Sequence, residues 1–365
     1  MPRTVLHDIL ATGVAEGASD WHIREGFNVA LRLDGRLVEV DFMTSKEFLE
    51  EAIEEMTEES HRVTFDKTGD ADFALQEEGV GRFRVNLHRQ RGNLAMTMRH
   101  VKDEVPDVND LGLPSVLKQI AEHTNGIVFI TGTTGSGKST TLATMIRHMN
   151  ETMNRHLITV EDPIEYTFTD GSCIIEQREV GLDCISFESA LIHALRQDPD
   201  VIIVGEMRNR ESFETALTAA ETGHLVLTTL HTKDAPQSIL RILDMYPHDE
   251  RESVRKSLAE ALRAIVCQRL VPKATGKGVA PVNEILVNTP IVTKLIDDDQ
   301  LGKLDQAIEG GGEDGMMSFN KRLLELVNDG IISEEVALRT SDNPAALKMN
   351  LKGIFLSDAG GGIIQ

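Results

Sequence analysis

The chain has 365 residues, 41% of them hydrophobic and 26% charged, which is ordinary for a soluble globular protein and long enough for two domains, each with its own core. The 37 basic against 59 acidic side chains give a formal net charge of −22, which argues against a protein that tracks nucleic acid by neutralising its phosphates. No apolar run approaches a bilayer span, no signal-peptide pattern opens the sequence, and Cys173, Cys184 and Cys267 are too scattered for a disulfide framework or a zinc site, so a cytoplasmic, reduced protein without direct membrane insertion is expected.

Residues 5–15 have the spacing of an amphipathic helix. A short strand is expected over 21–24, and strands over 29–33 and 36–40 flank Asp34-Gly35, a strong hairpin signal. Helices are predicted over 45–56 and 58–66, then antiparallel strands over 71–75, 82–87 and 95–99 with glycine turns between them. Residues 1–101 therefore read as an α+β domain without a nucleotide motif. The next stretch, 102–114, carries two prolines, several acids and no periodicity, and reads as an interdomain linker.

From 115 to 352 the pattern changes. Strands at 127–131, 156–160, 201–204 and 224–230 alternate with helical stretches, which predicts an α/β domain with a parallel sheet covered on both faces. Beyond about residue 233 the chain reads as mostly helical, and the tail, 353–365, is expected to be poorly ordered.

The most specific signal lies at Gly132, Thr133, Thr134, Gly135, Ser136, Gly137, Lys138 and Ser139, a complete G-x-x-x-x-G-K-S with Thr140 following. A β-branched apolar run precedes it, and Leu142, Met145, Ile146 and Met149 follow at helical spacing. Strand, glycine turn and helix are the context in which backbone N–H groups and a helix N-terminus cradle a triphosphate. Lys138 then reaches the β- and γ-phosphates and the Ser139 hydroxyl holds Mg²⁺, so ATP and Mg²⁺ are the expected ligands.

Three later segments qualify for the chemistry around that phosphate. Glu161-Asp162-Pro163-Ile164-Glu165 is an acidic turn directly after a predicted strand, suited to metal and water handling or simply to solvation. Asp200-Val-Ile-Ile-Val-Gly205-Glu206 is four apolar residues, a glycine and an acid, the Walker B pattern, with Glu206 facing Mg²⁺ directly or through water. His224 and His231 bracket one strand; seven residues apart, their rings fall on opposite faces, which disfavours joint chelation. One imidazole bonding the γ-phosphate or a catalytic acid fits better.

The succession G-T-T-G-S-G-K-S, T-V-E-D-P-I-E-Y, V-G-E-M-R and A-A-E-T-G-H-L-V-L-T-T-L-H-T resembles the secretion-ATPase superfamily of type II secretion and type IV pili. Within it the chain is most similar to the retraction ATPases of twitching motility, PilT and its paralogue PilU, from about Gly17 to about Lys352. The resemblance implies a PAS-like N-terminal domain followed by a RecA-like P-loop ATPase with a helical C-terminal region. By motif, it assigns Glu165 as the catalytic glutamate, Glu206 as the Walker B acid, and His224 and His231 as the His box. It also implies that Arg84 and Arg99, on neighbouring predicted strands, reach the nucleotide's phosphates. The implied assembly is a homo-hexameric ring at the cytoplasmic, inner-membrane base of the pilus machine, acting on a platform protein there. In place of the A-I-R-N-L-I-R-E element of PilT-type motors stands Pro290-Ile-Val-Thr-Lys-Leu-Ile-Asp, without its arginines, and Ala345–Gly353 extends the chain as in PilU. This departure points to an accessory motor working beside a co-resident PilT-type ATPase. The rival readings are a pilus extension or type II secretion ATPase and, from another class, a RecA-like nucleic-acid translocase.

Overall fold

The computed structural model describes residues 2–33, 35–101, 104–356 and 363–364. The chain divides into two compact units, one comprising the first 104 residues with Glu165–Thr167, the other the remainder.

The first unit opens on helix α1 (Pro2–Ala15), followed by β1 (Asp20–Arg24), β2 (Asn28–Leu33), β3 (Arg36–Met43), α2 (Lys46–Met56), α3 (Glu59–Thr68), β4 (Asp70–Glu77), β5 (Gly81–Gln90) and β6 (Asn93–Val101). The strands make one antiparallel sheet in the order β3-β2-β1-β6-β5-β4. Every element expected there is present; Asp34, at the tip of the expected hairpin, lies outside the described residues. Helix α1 starts three residues before the apolar spacing suggested, on a proline that suits a first helical position. Alternation along β5 sends Phe83, Val85 and Leu87 into the core with Trp21. The Trp21 ring meets Phe83 edge-on, with centroids 5.3 Å apart, and its indole N–H donates to the Ile9 carbonyl of α1 at 3.2 Å. Gly13 makes that contact possible, because a Cβ there would lie 2.5 Å from the Trp21 ring.

The second unit is built on seven strands: β7 (Gly126–Thr131), β8 (His156–Glu161), β9 (Ile174–Glu179), β10 (Val201–Val204), β11 (Leu225–Leu230), β12 (Leu262–Pro272) and β13 (Val279–Val287). Their order is β13-β12-β7-β11-β10-β8-β9, and all neighbours are parallel except the β12–β13 pair. Every residue of β7, β10 and β11 is buried, as expected for strands covered on both faces. The helices are α4 (Val116–Ala121), α5 (Lys138–Thr152), α6 (Phe187–Ala194), α7 (Arg210–Glu221), α8 (Ala235–Leu243), α9 (Arg251–Ala261) and α10 (Pro290–Asp297), with four further α-helices between Leu304 and Leu351. Among the described residues no helix is long and apolar enough to cross a membrane.

The structure differs from the sequence-based expectation in four places. The stretch expected as a linker is packed: Val108 and Leu113 are buried in the core under α4 and α5, and Arg147 donates to the Val105 carbonyl; Lys102 and Asp103 lie outside the described residues. The last third is mostly helical, as expected, but it also holds the paired strands β12 and β13, which were not anticipated. Leu262, Ile265 and Val266 recur at three- and four-residue spacing, so a strand buried on both sides imitates a helix face there. Strand β9, half-exposed at the sheet edge and ending in Glu-Gln-Arg-Glu, had no apolar run to announce it. In the tail, Phe355–Leu356 pairs antiparallel with Ile363–Ile364; residues 357–362 and 365 of the segment expected to be poorly ordered lie outside the described residues.

Candidate active site

Parallel strands present their loops at their carboxyl ends, and four adjacent strands of the second unit do so side by side. Strand β7 runs into the phosphate loop, β11 into His231, β10 into Gly205-Glu206 and β8 into the acidic turn after Glu161.

The phosphate loop turns tightly: the Gly132 N–H donates to the Leu230 carbonyl at 3.3 Å and the Ser136 N–H to the Thr133 carbonyl at 3.1 Å. Thr133, Thr134 and Gly135 are exposed, with φ +78° at Gly135 and open space where a Cβ would stand. Gly137, at φ +86°, caps α5, whose first turn holds Lys138, Ser139 and Thr140. The buried Lys138 bends back over the loop, and its Nζ donates to the carbonyls of Gly132 at 2.9 Å and Thr133 at 3.1 Å. Ser136 Oγ is buried with no hydrogen-bond partner. An inward-facing ammonium, an unpartnered hydroxyl and an exposed glycine turn at a helix start fit a polyphosphate.

Glu206 is fixed from both sides. The Gly205 N–H donates to Val160 of β8 at 2.8 Å, Thr229 Oγ1 of β11 donates to the Gly205 carbonyl at 2.6 Å, and the Met207 N–H reaches the Thr229 carbonyl at 3.3 Å. Its carboxylate takes Arg208 Nη2 at 2.7 Å on one oxygen and His231 Nε2 at 3.1 Å on the other. Burial alone would raise the Glu206 pKa, but the hydrogen bond and charge of Arg208, with His231 and Lys138 adding, hold it below the ordinary carboxylate range. The same hydrogen bond raises Arg208. Among the described residues no three His, Cys, Asp or Glu side chains converge as a metal cage. Mg²⁺ at nucleotide sites takes one or two protein groups plus phosphate oxygens and water, so Ser139 and Glu206 suffice in kind.

The remaining candidates are placed differently. Glu161, at the end of β8, is turned inward to accept from Thr159 Oγ1 at 2.7 Å and Gln177 Nε2 at 3.2 Å. Glu165 is exposed, in the turn that follows the cis Asp162–Pro163 bond. His224 is not brought to the site within this chain: it precedes β11 at the opposite end from His231, roughly 23 Å away at about 3.3 Å per residue. Its Nδ1 donates to the Ala219 carbonyl at 3.0 Å, closing the end of α7. Strand length, not strand face, separates the two imidazoles. Arg84 and Arg99 are direct cross-strand partners on β5 and β6 of the first unit. Arg99 Nε donates to Asp20 Oδ1 at 2.8 Å; burial works against ionisation of Asp20, but hydrogen bonds from Ser19 and Arg99 prevail and lower its pKa.

Sequence reasoning passed over two residues. Arg208 stood in the quoted V-G-E-M-R without a role, although an arginine two positions after a strand-end acid was a readable signal. Gln268, buried on β12 behind the loop, gave none, because its strand was not recognised.

Residues 2–299 match the family described as Type II/IV secretion system protein. The type IV pilus retractation ATPase PilT of Pseudomonas aeruginosa is 39% identical over 339 residues, covering 92% of this chain and 98% of that protein. The type IV pilus ATPase PilU of the same organism is 40% identical over 352 residues, covering 96% and 92%. Among solved structures, the pilus retraction motor PilT with bound ADP superposes with a TM-score of 0.86 at 41% identity, covering 93% of this chain and 97% of that one. The Legionella pneumophila ATPase DotB follows the same fold, with a TM-score of 0.79 at 28% identity over 92% of this chain and 94% of that one. An intact phosphate loop, an acid–imidazole pair at the neighbouring strand ends and likeness along nearly the whole length lead to one conclusion: the chain belongs to the type II/IV secretion system protein family.

Proposed function

We propose that this protein is an ATPase that powers type IV pilus retraction, in the manner of PilU, as an accessory to a PilT-type motor. The observation that carries the reading is likeness to PilT and PilU along almost the entire chain, joined to a complete G-x-x-x-x-G-K-S at the carboxyl end of β7. Bound at this loop, ATP with Mg²⁺ supplies the phosphoryl group and neutralises charge during its transfer to water. Lys138 and the N–H groups of residues 133–140 hold the phosphates, and the Ser139 hydroxyl with Glu206 serves the metal. Glu165 orients the attacking water as general base. His231 keeps Glu206 in place, and Arg208 keeps it ionised. Arg84 and Arg99 act on the phosphates in a homo-hexameric ring at the cytoplasmic base of the pilus, where the ring works on an inner-membrane platform protein. The substitution of Pro290–Asp297 for the arginine-bearing element supports the accessory role.

The test has two arms. Purified wild-type protein should hydrolyse ATP with Mg²⁺, while Glu165→Ala binds ADP normally and turns over at least about 100-fold more slowly. Equal turnover by Glu165→Ala would remove that residue as the base. In cells, deletion should weaken retraction under load and leave assembly intact; loss of assembly would reassign the protein to pilus extension.

A further inference from the structure

Gln268 is 3% exposed, and both ends of its amide are engaged. Its Nε2 donates to the Ser136 carbonyl in the phosphate loop at 2.8 Å. Its Oε1 accepts from the Thr141 hydroxyl of α5 at 2.8 Å and from Asn283 Nδ2 at 2.9 Å. A reversed amide would set Oε1 against the Ser136 carbonyl, so that contact dictates one orientation. Asn283 faces Gln268 directly across the β12–β13 pair and is fully buried, yet its own Oδ1 has no hydrogen-bond partner. A buried acceptor without a partner is costly and persists where the group serves some other purpose.

The loop's glycines tell the same story. A Cβ at Gly132 would lie 2.4 Å from the main-chain oxygen of Gln268 and as close to Ser136 Oγ, and one at Gly137 would lie 2.8 Å from Gln268 Nε2. The Gln268 side chain thus leaves no room for a Cβ at Gly137, and its backbone, with Ser136 Oγ, leaves none at Gly132, in addition to the positive φ of both; Gly135 faces open space. One residue of a strand far downstream touches the start of the loop, its last turn and the first turn of the helix it feeds.

We propose that Gln268, held by Asn283, is a positioning residue that fixes the phosphate loop in its binding shape; the functional part of this inference rests on the nucleotide-binding reading of the loop. Two variants test it in the full-length protein: Gln268→Met, which keeps the volume and removes both hydrogen-bonding ends, and Thr141→Val, which removes one contact from the helix side. In nucleotide-free protein, Gln268→Met should speed hydrogen exchange of the amides of residues 133–141 by about tenfold, with β10 and β11 unchanged. The ADP Kd should rise about tenfold in Gln268→Met and about threefold in Thr141→Val, with KM for ATP following and kcat within about twofold. A purely structural role predicts instead a lower melting temperature with the ADP-induced increase intact, and that result overturns the proposal, as does unchanged loop exchange in folded Gln268→Met. Should Gln268→Met fail to fold, Thr141→Val carries the same comparison. Altered loop exchange in a protein whose wild type binds no ADP would sink the nucleotide reading and leave the positioning role standing.

Discussion

His231 and His224 bracket one strand, yet they belong to different kinds of surface. At the carboxyl edge of the parallel sheet, His231 lies against Glu206, Glu206 against Arg208, and Lys138 leans over the loop beside them. Charged side chains there face one another. At the amino edge, His224 closes a helix by donating to Ala219, and His156 hydrogen-bonds the Asp198 carbonyl while its backbone N–H takes Asp200 Oδ2 at 2.8 Å. Imidazoles and acids at that edge bond chiefly the backbone, although His156 Nε2 also lies 3.6 Å from Glu176 Oε1. The difference follows from strand direction: carboxyl ends open outward into loops that diverge, whereas amino ends receive helices whose last carbonyls need donors.

Four substitutions test that contrast. The largest effect is expected from Lys138→Ala, which should abolish ATP turnover and weaken ADP binding by about 100-fold or more, read by titration calorimetry. Retained turnover would remove the carboxyl edge as the reaction site. Glu206→Gln should lower kcat by about 100-fold with ADP affinity nearly unchanged, because the loop still holds the phosphates. Next, His231→Ala should reduce kcat about tenfold, while His224→Ala should leave it within twofold in the isolated chain and lower the melting temperature by about 3 °C, the size of one lost hydrogen bond. Equal losses of turnover from both histidines would erase the distinction between the edges, and would point to His224 serving a site on another copy of the chain.

The last effect concerns a carboxylate on one outermost strand of the sheet. Glu284 on β13 accepts the Ala235 N–H at the start of α8, at 2.9 Å. Burial, aided by Asp234 and Asp305 against the pull of that hydrogen bond, pushes its pKa up to about 7 from an ordinary 4.5. Between those values the folded chain binds more protons at this site than the unfolded chain, so the site's contribution falls as pH rises from 4.5 through 7. Glu284→Gln keeps a carbonyl for Ala235 and does not titrate. It should therefore raise the melting temperature by a few degrees at pH 8 and by less at pH 5; the opposite trend would mean that the carboxylate is ionised and stabilised in the folded chain.

The first unit was legible element by element, since its antiparallel strands alternate and its turns carry glycine. The phosphate loop, Glu206 and His231 were legible because each follows a short apolar run that ends on a charged or polar residue. Strand β12 was not, for burial on both faces removed the alternation that marks a strand, and with it went Gln268. Spacing did set His224 and His231 at the two ends of one strand, but joint chelation was set aside on strand face alone. The alternation argument addresses which face a side chain takes, while the separation here comes from the run of Leu225–Leu230 between them.

Trp21 is the chain's single indole, and it is enclosed under α1 in the first unit. Intrinsic emission therefore reports the moment α1 lifts from its sheet and says little about the strands that carry the phosphate loop. A denaturation curve followed at tryptophan wavelengths would track the smaller unit alone, so the melting comparisons above call for far-ultraviolet dichroism or calorimetry. The same blindness can be put to use: a tryptophan placed near the loop, in a background where Trp21 is replaced by phenylalanine, would report the second unit alone, beside a wild type that reports the first.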